Sequence, residues 1–272
     1  MLQITDQDFT RLVQFIHKGY GIDLSKKRAL ISGRLSGYIF SLGYQDFHDY
    51  AEHILTHRDP KDVEEMLNRL TTNYTYFLRE EAHFTFFRET VLPWLEQLHS
   101  RDRSLSIWSA GCSSGQEPYT ISMILKEYFG SRGGHWDTRV LATDISQKVL
   151  GIAQEGIYDE DSLQKVPPSW KTKYFRKSSQ PGMFEVSQEL RSNVIFRTFN
   201  LMDPIAFRRK FDVIFCRNVM IYFDQATKDA LVRRFYDYTT PGGYLFIGHS
   251  ESLNRAAAPY DYLSPATYRK KG

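Results

Sequence analysis

The sequence predicts an α/β fold: a largely parallel sheet with helices on both faces, an α-helical region before it, and a small antiparallel β insertion within it. Three observations carry this. From Leu105 onward, short apolar runs that suit buried strands alternate with helical periodicity, whereas residues 1 to about 90 show helical periodicity alone. In addition, 55 residues separate Asp144 from Asn200, far more than the dozen or so that one helical crossover needs.

The N-terminal region reads as four short helices. Their apolar faces are Phe9, Leu12, Val13 and Phe15-Ile16; Leu30, Ile31 and Leu35; Phe47, Tyr50, Ile54 and Leu55; and Val63, Met66, Leu67 and Leu70. Thr5 three residues before Asp8, and Asp59-Pro60, are helix starts, while Gly19, Gly21 and Gly43 punctuate. A helix over 80–98 leads into the polar stretch 99–104. The expected organisation is a helical domain over 1–90, a linker over 91–104 and a sheet domain over 105–272. Strands are expected at 105–109, 138–143, 194–199, 211–215 and 243–248, and helices at 117–129, 146–154 and 225–238. The insertion, at about 160–192, contains Lys173-Tyr174-Phe175, the turn Gln180-Pro181-Gly182 and the run Met183 to Val186.

With 272 residues, 42% hydrophobic and 15% aromatic, the chain has ample material for a core. No apolar stretch reaches the roughly 18 residues of a membrane span, and the N-terminus has acids where a signal peptide would have basic residues. A cytoplasmic protein is expected, and nothing calls for an obligate dimer, so a monomer is. Cys112 and Cys216 are too few for a disulfide framework and lack metal-ligand spacing, so no metal is expected and both read as reduced, gap-filling thiols. The formal charge of +3 is too small for a nucleic-acid binder. Its distribution is more informative: the 22 residues from Leu24 to Gln45 contain no acid but include Lys26, Lys27, Arg28 and Arg34. On a helix, Lys26, Leu30 and Arg34 share one face, which is either a stripe aimed at an acidic partner or an ordinary solvated face.

The run from Leu105 to Thr120 resembles the entry to a nucleotide-type pocket. A buried strand stops at Gly111, crosses a small polar loop to Gly115, and restarts as a helix at Glu117-Pro118. A ligand would sit above the strand's carboxyl end. Gly111 and Gly115 do not make the G-x-G-x-x-G that wraps a pyrophosphate, so a nucleoside without phosphates fits better. Asp144 ends the next strand, where an acid accepts hydrogen bonds from ribose hydroxyls or belongs to the start of the following helix. In FDVIFCRNVMIYF, residues 211–223, an apolar strand gives way to Cys216-Arg217-Asn218 facing the same cleft.

Together these pieces resemble the S-adenosylmethionine-dependent methyltransferases, and more narrowly the chemotaxis-receptor methyltransferase (CheR) family. The resemblance covers essentially the whole chain: TTNYTYFLRE at 71–80, SAGCSSGQEPY at 109–119, ATDIS at 142–146, FNL at 199–201, CRNVMIYF at 216–223 and PGGYLFIGHSE at 241–251 follow that family's order of motifs. It implies a Rossmann-like class I methyltransferase domain, an N-terminal helical domain that docks the receptor and closes the cofactor cleft, and a β subdomain in the insertion. It further implies S-adenosylmethionine as cofactor, S-adenosylhomocysteine as product, and methyl esterification of glutamates on the cytoplasmic helices of chemoreceptors. Nucleic acid and membrane insertion are not expected. Carried over position by position, Asn73, Thr75, Arg79, Glu117, Asp144, Asn200, Leu201, Arg217 and Asn218 surround the cofactor. The acid-free window, for its part, predicts that Lys26, Lys27, Arg28 and Arg34 dock against the acidic helices of the receptor.

A glutamate side chain, which ordinarily titrates at about 4.3, is already an ionised nucleophile at neutral pH, so no general base is expected. Arg79 and Tyr222 are the expected catalytic residues: a guanidinium can hold the substrate carboxylate in a planar fork, and a phenol can donate an orienting hydrogen bond. Tyr222 reads equally as an aromatic that packs in its loop. Leu78 stands where the family commonly has a second phenylalanine, and the loop Ser178 to Gly182 is short, which leans toward recognition without a receptor C-terminal peptide. Two other readings remain. A nucleic-acid methyltransferase would usually carry an Asn/Asp-Pro-Pro-aromatic motif where this chain has Cys216-Arg217-Asn218-Val219. A non-catalytic sensor of the cofactor would keep Asp144 yet need neither Arg79 nor the basic patch.

Overall fold

The structure, a computed structural model, describes residues 2–254 and 256–272. The chain forms two compact units, Met1–Asn73 with Tyr222–Lys228, and Tyr74–Ile221 with Asp229–Gly272.

The first unit holds α1 (Asp6–Tyr20), α2 (Arg28–Ser41), α3 (Phe47–His57) and α4 (Pro60–Leu70). The expected start signals operate: Thr5 accepts a hydrogen bond from the Asp8 amide, and Asp59 accepts one from the Lys61 amide with Pro60 in the first turn. Leu12, Ile16, Ile31, Leu35, Ile54 and Met66 are fully buried, each side chain contributing about 1.5–3 kcal/mol. The segment from Tyr222 completes this unit, because Phe223 bridges to Ile22 and the Asp23 amide donates to the Tyr222 carbonyl at 2.8 Å.

The basic stripe does not form as expected. The helix α2 starts at Arg28, so Lys26 precedes it and cannot share a helical face with Arg34. Arg28 is paired with Asp6, donates to the Ile4 carbonyl at 2.9 Å and stacks 4.5 Å from the Phe9 ring. Arg34 donates to the carbonyls of Arg69 and Thr71, at the C-terminus of α4, where a cation satisfies acceptors the helix leaves open. Of the four, Lys26 and Lys27 are exposed with no side-chain hydrogen bond or ion pair among the described residues, while Arg34, also exposed, is engaged by carbonyls.

In the second unit α5 (Glu81–Phe86) passes through a π turn (Phe87–Val91) into α6 (Leu92–Leu98). Pro93 accounts for the turn, since it has no amide to donate to Glu89 and its ring crowds that carbonyl. The linker expected at 91–104 is corrected here: Val91, Leu92 and Leu95 are fully buried in one cluster with Ile107, Val213 and Phe246, and the division falls between Asn73 and Tyr74. The helical periodicity of 80–98 served the sheet's core, and periodicity alone does not say which core a helix joins.

The main sheet follows as β1 (Ile107–Ala110), α7 (Gln116–Phe129), β2 (Val140–Asp144) and α8 (Gln147–Glu155). Next comes the insertion, with β3 (Ile157–Asp159), α9 (Pro168–Tyr174), β4 (Phe175–Lys177) and β5 (Met183–Val186) in a separate antiparallel sheet, ordered β3-β5-β4. After α10 (Gln188–Ser192) the chain adds β6 (Val194–Thr198), β7 (Phe211–Cys216), α11 (Gln225–Tyr238), β8 (Thr239–Ile247), β9 (Tyr260–Ser264) and β10 (Thr267–Lys270). The sheet order is β6-β2-β1-β7-β8-β10-β9, parallel from β6 to β8, with β10 and β9 antiparallel at one edge. Strands β9 and β10 were not expected, and Lys173-Tyr174 belong to α9 rather than to a strand.

The order reverses at β1, with β2 and β6 on one side and β7 and β8 on the other, so the crevice of a doubly wound sheet opens at the carboxyl ends of β1 and β7. Trp108 holds β1 from below: fully buried against Phe199, Phe207, Phe211 and Phe235, it donates its indole N–H to Thr143 Oγ1 at 2.9 Å. No helix among the described residues is long and apolar enough to cross a membrane.

Candidate cofactor and catalytic site

The loop leaving β1 reverses through three residues with left-handed backbone, Gly111 (φ 81°), Ser113 (φ 50°) and Gly115 (φ 95°). Most of its amides are spent inside the protein. Those of Gly111 and Cys112 both donate to the Thr143 carbonyl at 2.8 and 2.9 Å, and that of Ser113 donates to Asp144 Oδ2 at 2.8 Å. A loop so committed has fewer amides left to cradle a pyrophosphate. Close approach also explains the glycines, since a Cβ on Gly111 would lie 2.4 Å from Val219 Cγ2 and one on Gly115 would lie 2.8 Å from the Ala153 Cβ. Gly111→Ala is expected to destabilise the protein by about 1–3 kcal/mol, through the positive φ and the contact together, read as a lowered midpoint in denaturant.

Asp144 closes β2 with both oxygens fixed, Oδ2 by Ser113 and Oδ1 by the Ser146 amide at 3.0 Å. The cap of α8 is Ser146, whose hydroxyl accepts from the Val149 amide, so helix capping is not the work of Asp144. Next to it, the Phe199 amide donates to the Asp144 carbonyl at 3.0 Å, which brings the turn of Asn200 and Leu201 beside the end of β2. There Asn200 Oδ1 accepts from the Met202 amide, and Leu201 is buried.

At the end of β7 a buried charge cluster takes over. The Arg217 guanidinium donates to Glu117 Oε2 at 2.9 Å, to Glu80 Oε2 at 3.0 Å and to the Arg79 carbonyl, over the face of Phe84. Ser109 donates to the other oxygen of Glu117 at 2.7 Å. Burial pulls the Glu80 pKa up, but the neighbouring guanidinium and the donors of Arg217, Asn218 and His249 outweigh it and hold the carboxyl below its usual range. One guanidinium against two carboxylates leaves a net charge of −1, a setting that favours a cationic group nearby.

Asn218 adopts φ 60° and donates to Glu80 Oε1 at 3.2 Å. Its backbone is stapled by Glu251, whose carboxylate accepts from the amides of Asn218, Gly248 and Ile221. Arg79 lies half-buried, donates to the Tyr74 carbonyl at 2.8 Å, rests 5.9 Å from the Tyr76 ring and forms no ion pair among the described residues. Thr75 is half-buried in the same unit.

The structure therefore ties Arg79, Glu117, Arg217 and Asn218 into one network, and Asp144, Asn200 and Leu201 into a second at the neighbouring strand ends. It does not do so for Asn73 and Tyr222, which belong to the helical unit. Asn73 Nδ2 donates to Asn68 Oδ1 at 3.5 Å. The Tyr222 hydroxyl accepts from the Thr72 amide at 3.1 Å and donates to the Thr72 carbonyl at 2.9 Å. In this structure the hydrogen bond that the phenol donates goes to a backbone carbonyl of its own unit.

Sequence reasoning missed Ser109, Glu80 and Glu251. The two acids ended motifs already singled out, TTNYTYFLRE and PGGYLFIGHSE, and an acid separated by one or two residues from the end of a buried run was the available signal. Glu80, His83 and His249 place three potential ligand atoms within 4.8 Å of one another, yet Arg217 already neutralises Glu80 from 3.0 Å. Burial drives the His83 pKa down to about 4, so its ring is neutral near pH 7. Cys112 and Cys216 are buried with pKa values well above the ordinary thiol range, as inert packing thiols should be.

A phosphate-free loop, a ribose-ready carboxylate and an anionic cluster fit a cationic nucleoside, and with this sheet they define a methyltransferase domain that takes S-adenosylmethionine. Residues 73–268 match the CheR methyltransferase SAM-binding domain and residues 7–71 the CheR methyltransferase all-alpha domain. The chain is 42% identical to the chemotaxis protein methyltransferase of Borreliella burgdorferi over 99% of its length and 96% of the relative's. It is 38% identical to that of Escherichia coli, covering 98% and 92%, and 36% identical to chemotaxis protein methyltransferase 1 of Pseudomonas aeruginosa, covering 99% and 100%. The chain belongs to the CheR family of chemotaxis protein methyltransferases.

Proposed function

We propose that this protein methyl-esterifies glutamate side chains on the cytoplasmic helices of chemotaxis receptors. The supporting observation is Arg79, a guanidinium held in place by its own backbone network, with no protein carboxylate as partner among the described residues. A substrate carboxylate is the group that completes it. When bound, the cofactor supplies an electrophilic sulfonium methyl. Arg79 aligns one carboxylate oxygen for in-line attack, and since the glutamate is already ionised, no residue has to remove a proton. Orientation of this kind is worth roughly 7–11 kcal/mol. Asp144 receives the ribose hydroxyls, Glu117 and its network with Arg217 and Asn218 balance the positive charge, and Asn200 and Leu201 border the adenine. Asn73 and Thr75 flank the cofactor, and Tyr222 contributes by fixing the Thr72 peptide that leads into Asn73.

The deciding experiment incubates the protein with methyl-labelled cofactor and receptor-containing membranes. Label released as methanol in alkali supports esterification; alkali-stable label in nucleic acid, or tight cofactor binding without transfer, overturns it. The docking residues can be tested separately. Reversing Lys26 and Lys27 to Glu is expected to raise KM for receptor at unchanged cofactor affinity. Reversing Arg34 is expected to lower the melting temperature as well, because it removes the donor to the α4 carbonyls.

A further inference from the structure

We infer that Glu80 is a positioning residue for methyl transfer, acting through Arg79; this rests on the reading of Arg79 just given. Glu80 stands just before α5, at the position where a side-chain oxygen ordinarily accepts from first-turn amides. It makes no such bond. Its carboxylate instead faces the strand ends, where Oε2 accepts from Arg217 at 3.0 Å and Oε1 accepts from Asn218 Nδ2 and the His249 amide, each at 3.2 Å.

The backbone around it explains what these bonds hold. Leu78 and Glu80 both have φ 58°, a left-handed conformation that side-chain-bearing residues avoid, and Arg79 lies between them. Such a pair persists only where the surroundings over-determine it. Leu78 is fixed by burial and by the bond from its amide to Thr120 Oγ1 at 3.3 Å, and Glu80 by its three donors. Arg217 ties Arg79 to Glu80, since one guanidinium nitrogen donates to both the Glu80 carboxylate and the Arg79 carbonyl. The Glu80 carboxylate thus fastens the strained turn that aims Arg79 to the loops after β7 and β8.

The test is Glu80→Gln, which keeps the shape and removes the charge. The expected result, read at saturating cofactor because the substitution also removes one negative charge from the Arg217 cluster, is a fall in kcat of at least about tenfold with receptor KM changed by less than about threefold. In an Arg79→Ala background, followed by single turnover with enzyme in excess, the same substitution should change the rate by less than about twofold, because the residue through which it acts is gone. Wild-type kcat in the single variant overturns the proposal, as does a full tenfold effect in the Arg79→Ala background. If Glu80→Gln does not melt cooperatively, Glu80→Asp, which shortens the reach by one methylene, is judged by the same criteria. A failure of the functional reading looks different: Arg79→Ala would then transfer methyl groups at the wild-type rate.

Discussion

Arg79→Ala should lower kcat for transfer to receptor glutamates by about a hundredfold while cofactor affinity stays within about threefold of wild type. The asymmetry follows from the geometry. Towards the rest of the protein Arg79 offers its backbone carbonyl to Arg217 and one guanidinium bond to the Tyr74 carbonyl. The first survives the substitution, and the second closes a local turn. What disappears is the only part of the residue that can meet a carboxylate. Arg79→Lys should recover part of the loss, because a point charge attracts the substrate but does not present a planar fork. Steady-state rates with saturating cofactor, beside calorimetric cofactor titrations, separate the two effects; equal losses in both would move Arg79 from catalysis to cofactor binding.

Asp144→Ala should weaken cofactor binding by about ten- to a hundredfold, corresponding to the loss of about 1.5–3 kcal/mol of charge-assisted hydrogen bonding. Asp144 also receives the Ser113 and Ser146 amides, so part of that loss will come from a loosened loop. Asp144→Asn distinguishes the parts. One carboxamide oxygen still accepts from a backbone amide, while the charge that draws the ribose hydroxyls is gone. Isothermal titration reads the affinity, and native affinity in the alanine variant would remove Asp144 from the site.

How much of this was legible in the sequence depended on the range of the interaction. Strand-loop-helix units were readable because their signals are local: the apolar run into Gly111, Glu117-Pro118 at a helix start, Asp144 at a strand end. The edge strands β9 and β10 were not, because the alternation around Tyr260 and Tyr268 is short and follows a loop with helix-like and turn-like residues. The end of the helical unit was misplaced for a similar reason, since Leu92 and Leu95 have the same spacing whichever core they join. Lys26 looked helical until the first turn of α2 was located at Arg28. Glu80 and Glu251 are the clearest case. Each bonds to residues 30 or more positions away, apart from the local bond of Glu251 to Gly248, and no window of sequence reports a partner at that distance.

The seven residues Tyr222–Lys228 belong to the helical unit although they lie between two stretches of the sheet unit. The polypeptide therefore passes from one unit to the other three times, and no single cut yields two whole modules. A fragment ending at Asn73 would lack the strand partner of Ile22 and the phenol that grips Thr72. Chimaeras that exchange receptor preference between relatives must transplant this distant heptapeptide along with the N-terminal helices, and evolution by domain shuffling would have faced the same constraint.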